Sequence, residues 1–321
     1  MRTTKSFQFN TSKIAMLSLV LLAFSANITN AASLYWSGNG TSQGGAGTWD
    51  TTLARWGTAA GGPYTNVWNN TANASDAAVF GGAGATVTLG ANITVNTLQV
   101  NTATTIAPGS GPYTITLGGT TPTVGGSGTA TINAAIAGGG KTLNKSAANS
   151  VTLGGANTYN GGTAFSAGTI VANNDKALGT GTLTFSGTAV RLTLGNGIAV
   201  TNAITIGANS GATGNNLIQV ASPNTGTVTG PITINTPPAA GGHFGSTGNS
   251  GVLNVLGTIT SSVTVVQRAG TVVYAGGGTG YTTLNANQDT VRVGANNGIA
   301  TTATVNLGAS ADRKSTRLNS S

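Results

Sequence analysis

The chain has 321 residues, of which 39% are apolar and only 6% charged, a balance that excludes the highly charged, core-less composition of disordered proteins. Glu is absent, Gly numbers 51, and the bulk is Gly, Thr, Asn, Ala and Val, residues that favour strands and turns over helices. The formal charge of +8 does not make a nucleic-acid surface. Arg2, Lys5 and Lys13 sit at one end and Arg313, Lys314 and Arg317 at the other. Between them Arg55, Lys141, Lys145, Lys176, Arg191, Arg268 and Arg292 are scattered against Asp50, Asp76, Asp175 and Asp289, with no basic stripe interleaved with aromatics.

Residues 1–31 read as a secretory signal: a basic start, an apolar run from Ile14 to Phe24, and a small-residue exit at Thr29, Asn30, Ala31 and Ala32. The run is too short to span a bilayer comfortably. A buried core helix is the alternative, but the rest of the chain offers it no helical partner. Cleavage is expected near Ala31 or Ala32. With no Cys in an exported chain, stability must come from strand ladders and core rather than from disulfides.

Residues 32–85 hold all four Trp, at 36, 49, 56 and 68, and are expected to cap the first coil of a strand stack, whose apolar end and open edge need covering. The rival reading makes Trp36, Trp49, Trp56 and Trp68 a stacking platform for sugars.

From Thr86 to Ala311 short alternating runs repeat between Gly-, Asn- or Ala-rich corners. They include Thr86–Leu89, Ile93–Val95, Thr97–Val100, Tyr113–Leu117, Val151–Leu153, Leu192–Leu194 and Ile204–Ile206. The series goes on through Ile232–Ile234, Val263–Val265, Thr271–Tyr274, Val291–Val293 and Val305–Leu307. Period two, with Val, Ile and Leu on one face and Thr on the other, means half-buried strands. The stretch 151–185 is echoed by 273–307, where Gly-Gly-Gly-Thr-Gly-Tyr281 answers Gly-Gly-Ala-Asn-Thr-Tyr159. A degenerate repeat is what stacked coils tolerate. With roughly 20 residues per coil and ~4.8 Å between coils, about eleven coils and a rod on the order of 50 Å are expected. The fold class is all-β, a β-solenoid with a Trp-containing N-terminal cap.

The segment Val151 to Phe185 resembles the autotransporter-associated β-strand repeat. The resemblance lies in Leu153-Gly154-Gly155-Ala-Asn157-Thr-Tyr159-Asn-Gly161-Gly162-Thr163, in Ala167-Gly168-Thr169-Ile-Val171, and in Ala177-Leu178-Gly179-Thr-Gly181-Thr-Leu-Thr184. The leaders of such proteins are also similar to Gly47-Thr-Trp-Asp-Thr-Thr52, Trp56 and Asp76-Ala-Ala-Val-Phe80. The resemblance implies a right-handed parallel β-helix passenger, exported to the surface of a diderm bacterium by outer-membrane export machinery or a C-terminal translocator. It implies a structural or adhesive rod that supports passenger folding, export and display, with no catalytic residue to carry over.

Groups able to carry out chemistry are sparse along the chain. Asp50 and Asp76 suit turns or caps, and Asp175 and Asp289 sit among Asn and Gln at corners, so paired carboxylates for glycan cleavage are in short supply. His243 is the lone His and makes no His-rich metal site. Gly40-Thr-Ser42-Gln-Gly44 spells a nucleophile elbow without the surrounding strand–turn–helix. Ala135 to Thr142 is a near-miss to a phosphate loop, and Lys141 reads as a solvated corner charge. No cofactor or metal is expected. The alternatives to a non-catalytic rod are a polysaccharide-active β-helix enzyme and an adhesin that binds surface glycans. Residues 312–321, Asp-Arg-Lys-Ser-Thr-Arg-Leu-Asn-Ser-Ser, match nothing upstream. They read as the in-frame translation of a sequencing-library adapter, the other reading being a genuine basic tail.

Overall fold

A computed structural model describes residues 31–310, apart from 188–189, 208–215, 237–241, 249, 289 and 295–297. The expected signal segment up to Asn30 and the adapter-like tail therefore lie outside the described residues, as does Asp289. Among the described residues every regular element is a strand.

The chain winds through three sides in turn. After the Trp segment, Thr86–Leu89, Ile93–Val95 and Thr97–Val100 form one circuit, and Thr104–Ala107, Thr114–Leu117 and Thr123–Gly125 form the next. Each strand pairs in parallel with the one a circuit later, as in Val87 with Ile106, Ile93 with Ile115 and Leu98 with Val124. Two sides are unbroken sheets of twelve strands. The first contains Thr97–Val100 and the second Thr86–Leu89. The third side holds a three-stranded sheet ending at Ala135–Ala137 and a five-stranded one beginning at Ala199–Val200. Between them, 154–162 and 173–182 cross that side without a strand.

This is a parallel β-helix. All but one of the twelve strands of the second sheet follow the Trp segment, which makes a rod of about 50 Å at the ordinary strand spacing. Circuit length varies, the step from Ile106 to its partner Ile132 being longer than that from Val87 to Ile106, because corners absorb the extra residues while the ladders keep register.

The alternation decides what each strand contributes. On the first sheet one column runs inward through Leu98, Val124, Lys145, Phe165, Phe185, Ile206 and Ile234. All seven are buried, and each aliphatic or aromatic member contributes about 1.5–3 kcal/mol from water exclusion. The neighbouring column faces out through Thr184, Thr205, Thr233, Thr260 and Thr279. At the last strand, Thr304–Ser310, Val305 and Leu307 continue the inward columns of Leu284 and Ala286, yet both are exposed.

One expectation needs correction. The run Val263–Val265 is a strand only from Val265, because Val263 turns a corner where its N–H donates to Ser261 Oγ. The echo of 151–185 in 273–307 does not fall on equivalent sides. Val151 lies on the second sheet, whereas Val273 lies on the third side. Every side needs the same apolar alternation and every corner the same small residues, so sequence likeness does not report the side.

The Trp segment is woven into the rod. Ser33–Trp36 and Ala77–Phe80 pair in parallel on the first sheet, and Gly47–Trp49 pairs with Thr86–Leu89 on the second. Trp56–Gly57 turns back antiparallel on Ser33–Trp36 and forms the first sheet's end.

Candidate functional site

The four Trp meet in one cluster. Trp56 lies 5.3 Å from Trp36, 5.1 Å from Trp49 and 4.9 Å from Trp68, centroid to centroid, with Phe80 at 5.7 Å. The crossing angles are tilted to edge-on, the arrangement aromatic quadrupoles favour. Trp36 Nε1 donates to Gly45 O and Trp68 Nε1 to Thr94 O, both at 3.0 Å. All four side chains are 0–1% exposed. A sugar stacks on an accessible ring face, and none of Trp36, Trp49, Trp56 and Trp68 offers one. Their burial removes the stacking platform: the strand that carries Trp56 folds back over the end of the core and seals it.

The repeat-like segment likewise points inward. Asn157 is buried; its Oδ1 accepts from Ile136 N–H at 2.7 Å and its Nδ2 donates to Ala177 O at 2.6 Å. One carboxamide thus ties three successive coils on the side where no strand ladder does so. Tyr159 is buried with its hydroxyl 2.8 Å from Thr163 Oγ1, and burial raises its pKa. Thr163 donates to Leu178 O at 3.3 Å, and Asn202, one coil on, donates to Gly179 O and Gly181 O at 3.1 and 2.7 Å. Leu178 is core, and Thr169 faces out between Ser150 and Arg191.

Gly162 (φ 93°), Gly168 (φ 80°) and Gly179 (φ 65°) adopt the left-handed region, which favours glycine. Neighbours also crowd these corners: a Cβ at Gly154, Gly155, Gly161, Gly168 or Gly181 would come 2.4 Å from an atom of an adjacent coil or corner. These residues build the corners; among them only Thr169 presents its side chain to the outer face of a sheet.

The titratable groups are dispersed. Asp50 accepts from the N–H groups of Thr52 and Leu53 at 2.8 and 2.7 Å, closing a turn. Asp175 accepts from Ala199 N–H at 2.8 Å. Asp76 accepts from Ala32 N–H through Oδ1 and from Asn73 Nδ2 through Oδ2, both at 2.8 Å. Among the described residues no three His, Cys, Asp or Glu converge. Ser42 lies beside the first strand of the second sheet, and His243 lies on the strand Gly242–Ser246, eight ladder steps away. That is about 38 Å at the usual spacing, too far for a triad. His243 is buried; its Nδ1 accepts from Val266 N–H at 3.1 Å, which leaves Nε2 to face Thr236 O at 3.3 Å. Burial lowers its pKa to about 4, so it is neutral at physiological pH. Lys141 stands at a corner and donates to Gly119 O.

Lys145 is the group that composition hides. It occupies the inward column between Val124 and Phe165. Fully buried, it donates to Ala147 O and, at 3.0 Å, to Ala167 O, and desolvation lowers its pKa to about 8. The signal was present in Leu143-Asn144-Lys145, where alternation with Leu143 places the lysine inside.

No protein-family model matches the chain, and no solved structure matches it. Over 175 residues, 53% of the chain, it is 41% identical to the protein named adhesin BmaC autotransporter of Brucella suis biovar 1 (strain 1330). The chain resembles an autotransporter adhesin. It spans 5% of that relative's length.

On this autotransporter-like chain the regular surface is the outward columns. Thr184, Thr205, Thr233, Thr260 and Thr279 stand one per coil on the first sheet, with Thr260 and Thr279 hydroxyls 3.3 Å apart. A second file runs through Thr86, Thr105, Thr131 and Thr152 on the second sheet. These files are polar, uncharged and in register along the rod.

Proposed function

We propose that this chain is a length of exported passenger, a non-catalytic adhesive rod displayed on the surface of a Gram-negative bacterium with the help of an outer-membrane translocator. The observation that carries the reading is the 41% identity to an autotransporter adhesin over half of the chain. The long parallel ladders support it, since they supply length and stiffness. In this reading the repeat-like segment acts through folding: Asn157, Tyr159 and Thr163 hold successive coils in register as the rod grows on the far side of the membrane. Contact with a target falls to the outward columns, because the aromatic rings are sealed inside.

The test is display of the chain on non-adherent Gram-negative cells. Surface exposure is read by antibody and protease access, and adhesion is read on host-cell and glycan-coated surfaces. Adhesion above that of the parent cells is expected, undiminished when Asp175 is changed to Asn. A chain that is displayed and folded but confers no adhesion would sink the adhesive reading; glycan cleavage lost in Asp175→Asn would replace it with an enzymatic one.

A further inference from the structure

The first described residues end on an acid. Ala32 N–H donates to Asp76 Oδ1 at 2.8 Å, and Ala32 O accepts from Ala77 N–H at 2.8 Å. The next residue, Ser33, opens the first strand in register with Ala77. Asp76 is 9% exposed, and its other oxygen is held by the neutral Asn73 carboxamide. A nearly buried carboxylate is thus held by two neutral donors, where a cationic one makes a shorter and stronger bond. Ala31 and Ala32 are both exposed. Thr29 and Ala31 supply the small residues that a signal peptidase reads before the cut, whereas a cut after Ala32 would put Asn30 in the first of those places.

We propose that the chain is cut between Ala31 and Ala32 and that the α-ammonium so formed is bound by the Asp76 carboxylate, fastening the Trp-sealed end of the rod. Hydrolysis adds water across the bond, leaving a carboxylate on Ala31 and an ammonium on Ala32, and the charged nitrogen meets Asp76 when the first strand folds. Removal of the leader thus prepares the lock on the first strand: the uncut chain has an amide at this position and the cut chain an ion pair. The proposal rests on the export reading above.

The full chain, leader included, is expressed in a Gram-negative host and the exported product analysed by mass spectrometry of its N-terminal peptide. Ala32 is expected as the first residue. Selective acetylation of the α-amine should lower the Tm of the exported wild-type protein by about 3 °C or more and leave that of Asp76→Asn unchanged. The wild-type α-amine should also be acetylated more slowly at neutral pH than that of a peptide with the sequence of residues 32–38, a readout that needs no variant. An exported product that begins at another residue, an equal Tm change in both proteins, or equal acetylation rates overturns the proposal alone. Absence of any exported product overturns the export reading with it.

Discussion

Lys145 offers the sharpest test of the inward columns. Its folded-state pKa is about 8 against an ordinary 10.5. As pH rises through 8 the folded chain therefore sheds a proton that the unfolded chain keeps until 10.5. Stability must rise with pH across that window, by about 1.4 kcal/mol per pH unit for one proton. The total is about 3 kcal/mol, which is the cost below pH 8 of holding the ammonium in the core with only the carbonyls of Ala147 and Ala167 as partners. Urea unfolding followed by far-UV circular dichroism from pH 7 to pH 10 measures the slope. Lys145→Met should abolish it. The variant's stability at a single pH is a poorer guide, because relief of the buried charge is offset by two carbonyls losing their donors at about 1–3 kcal/mol each. A wild-type profile flat between pH 8 and 10, or a rise that persists in Lys145→Met, would refute the inward placement of the amine.

His243 predicts the acid side: with a folded pKa of about 4 against 6.5, stability should fall as pH drops from 6.5 to 4. The loss is up to about 3 kcal/mol, and the profile should flatten in His243→Gln when both are followed by denaturant titration. Trp56→Ala should cost about 3–5 kcal/mol and erase near-UV circular dichroism from the ring cluster, since the side chain touches three indoles and Phe80 with no exposure. Asn157→Ala should cost about 3 kcal/mol by stranding the buried Ile136 N–H and Ala177 carbonyl, measured as a shift in urea midpoint. Gly162→Ala, at φ 93° with Thr182 O 2.5 Å from the added Cβ, should lose about 1–3 kcal/mol. Gly139→Ala, with nothing within 4 Å, should unfold within about 0.5 kcal/mol of the parent.

Much of the fold was legible because a strand's period is two. Thr86–Leu89, Ile93–Val95, Ile204–Ile206 and Ile232–Ile234 lie where the alternation places them, and their Val, Ile and Leu are buried. The chemistry was less legible. Trp36, Trp49, Trp56 and Trp68 look the same in sequence whether they seal a core or bind a sugar, and only the antiparallel return of Trp56–Gly57 onto Ser33–Trp36 buries them. His243, the lone His of the sequence, sits in a strand with both ring nitrogens engaged. Its local composition of Gly and Ala gave no hint of the neighbouring coil that covers it.

By itself the sequence determined the strands, the apolar columns and the corners, all local consequences of alternation and of residues that tolerate tight turns. Tertiary structure alone decided which side each strand joins, so that Val151 and Val273 fall on different sides despite similar surroundings. It also decided that Asn157 would bridge three coils and that the amide of Ala32 would meet Asp76. Those contacts join residues a coil or more apart, and what brings them together is the number of residues each circuit takes, a sum over all three corners that no single segment records.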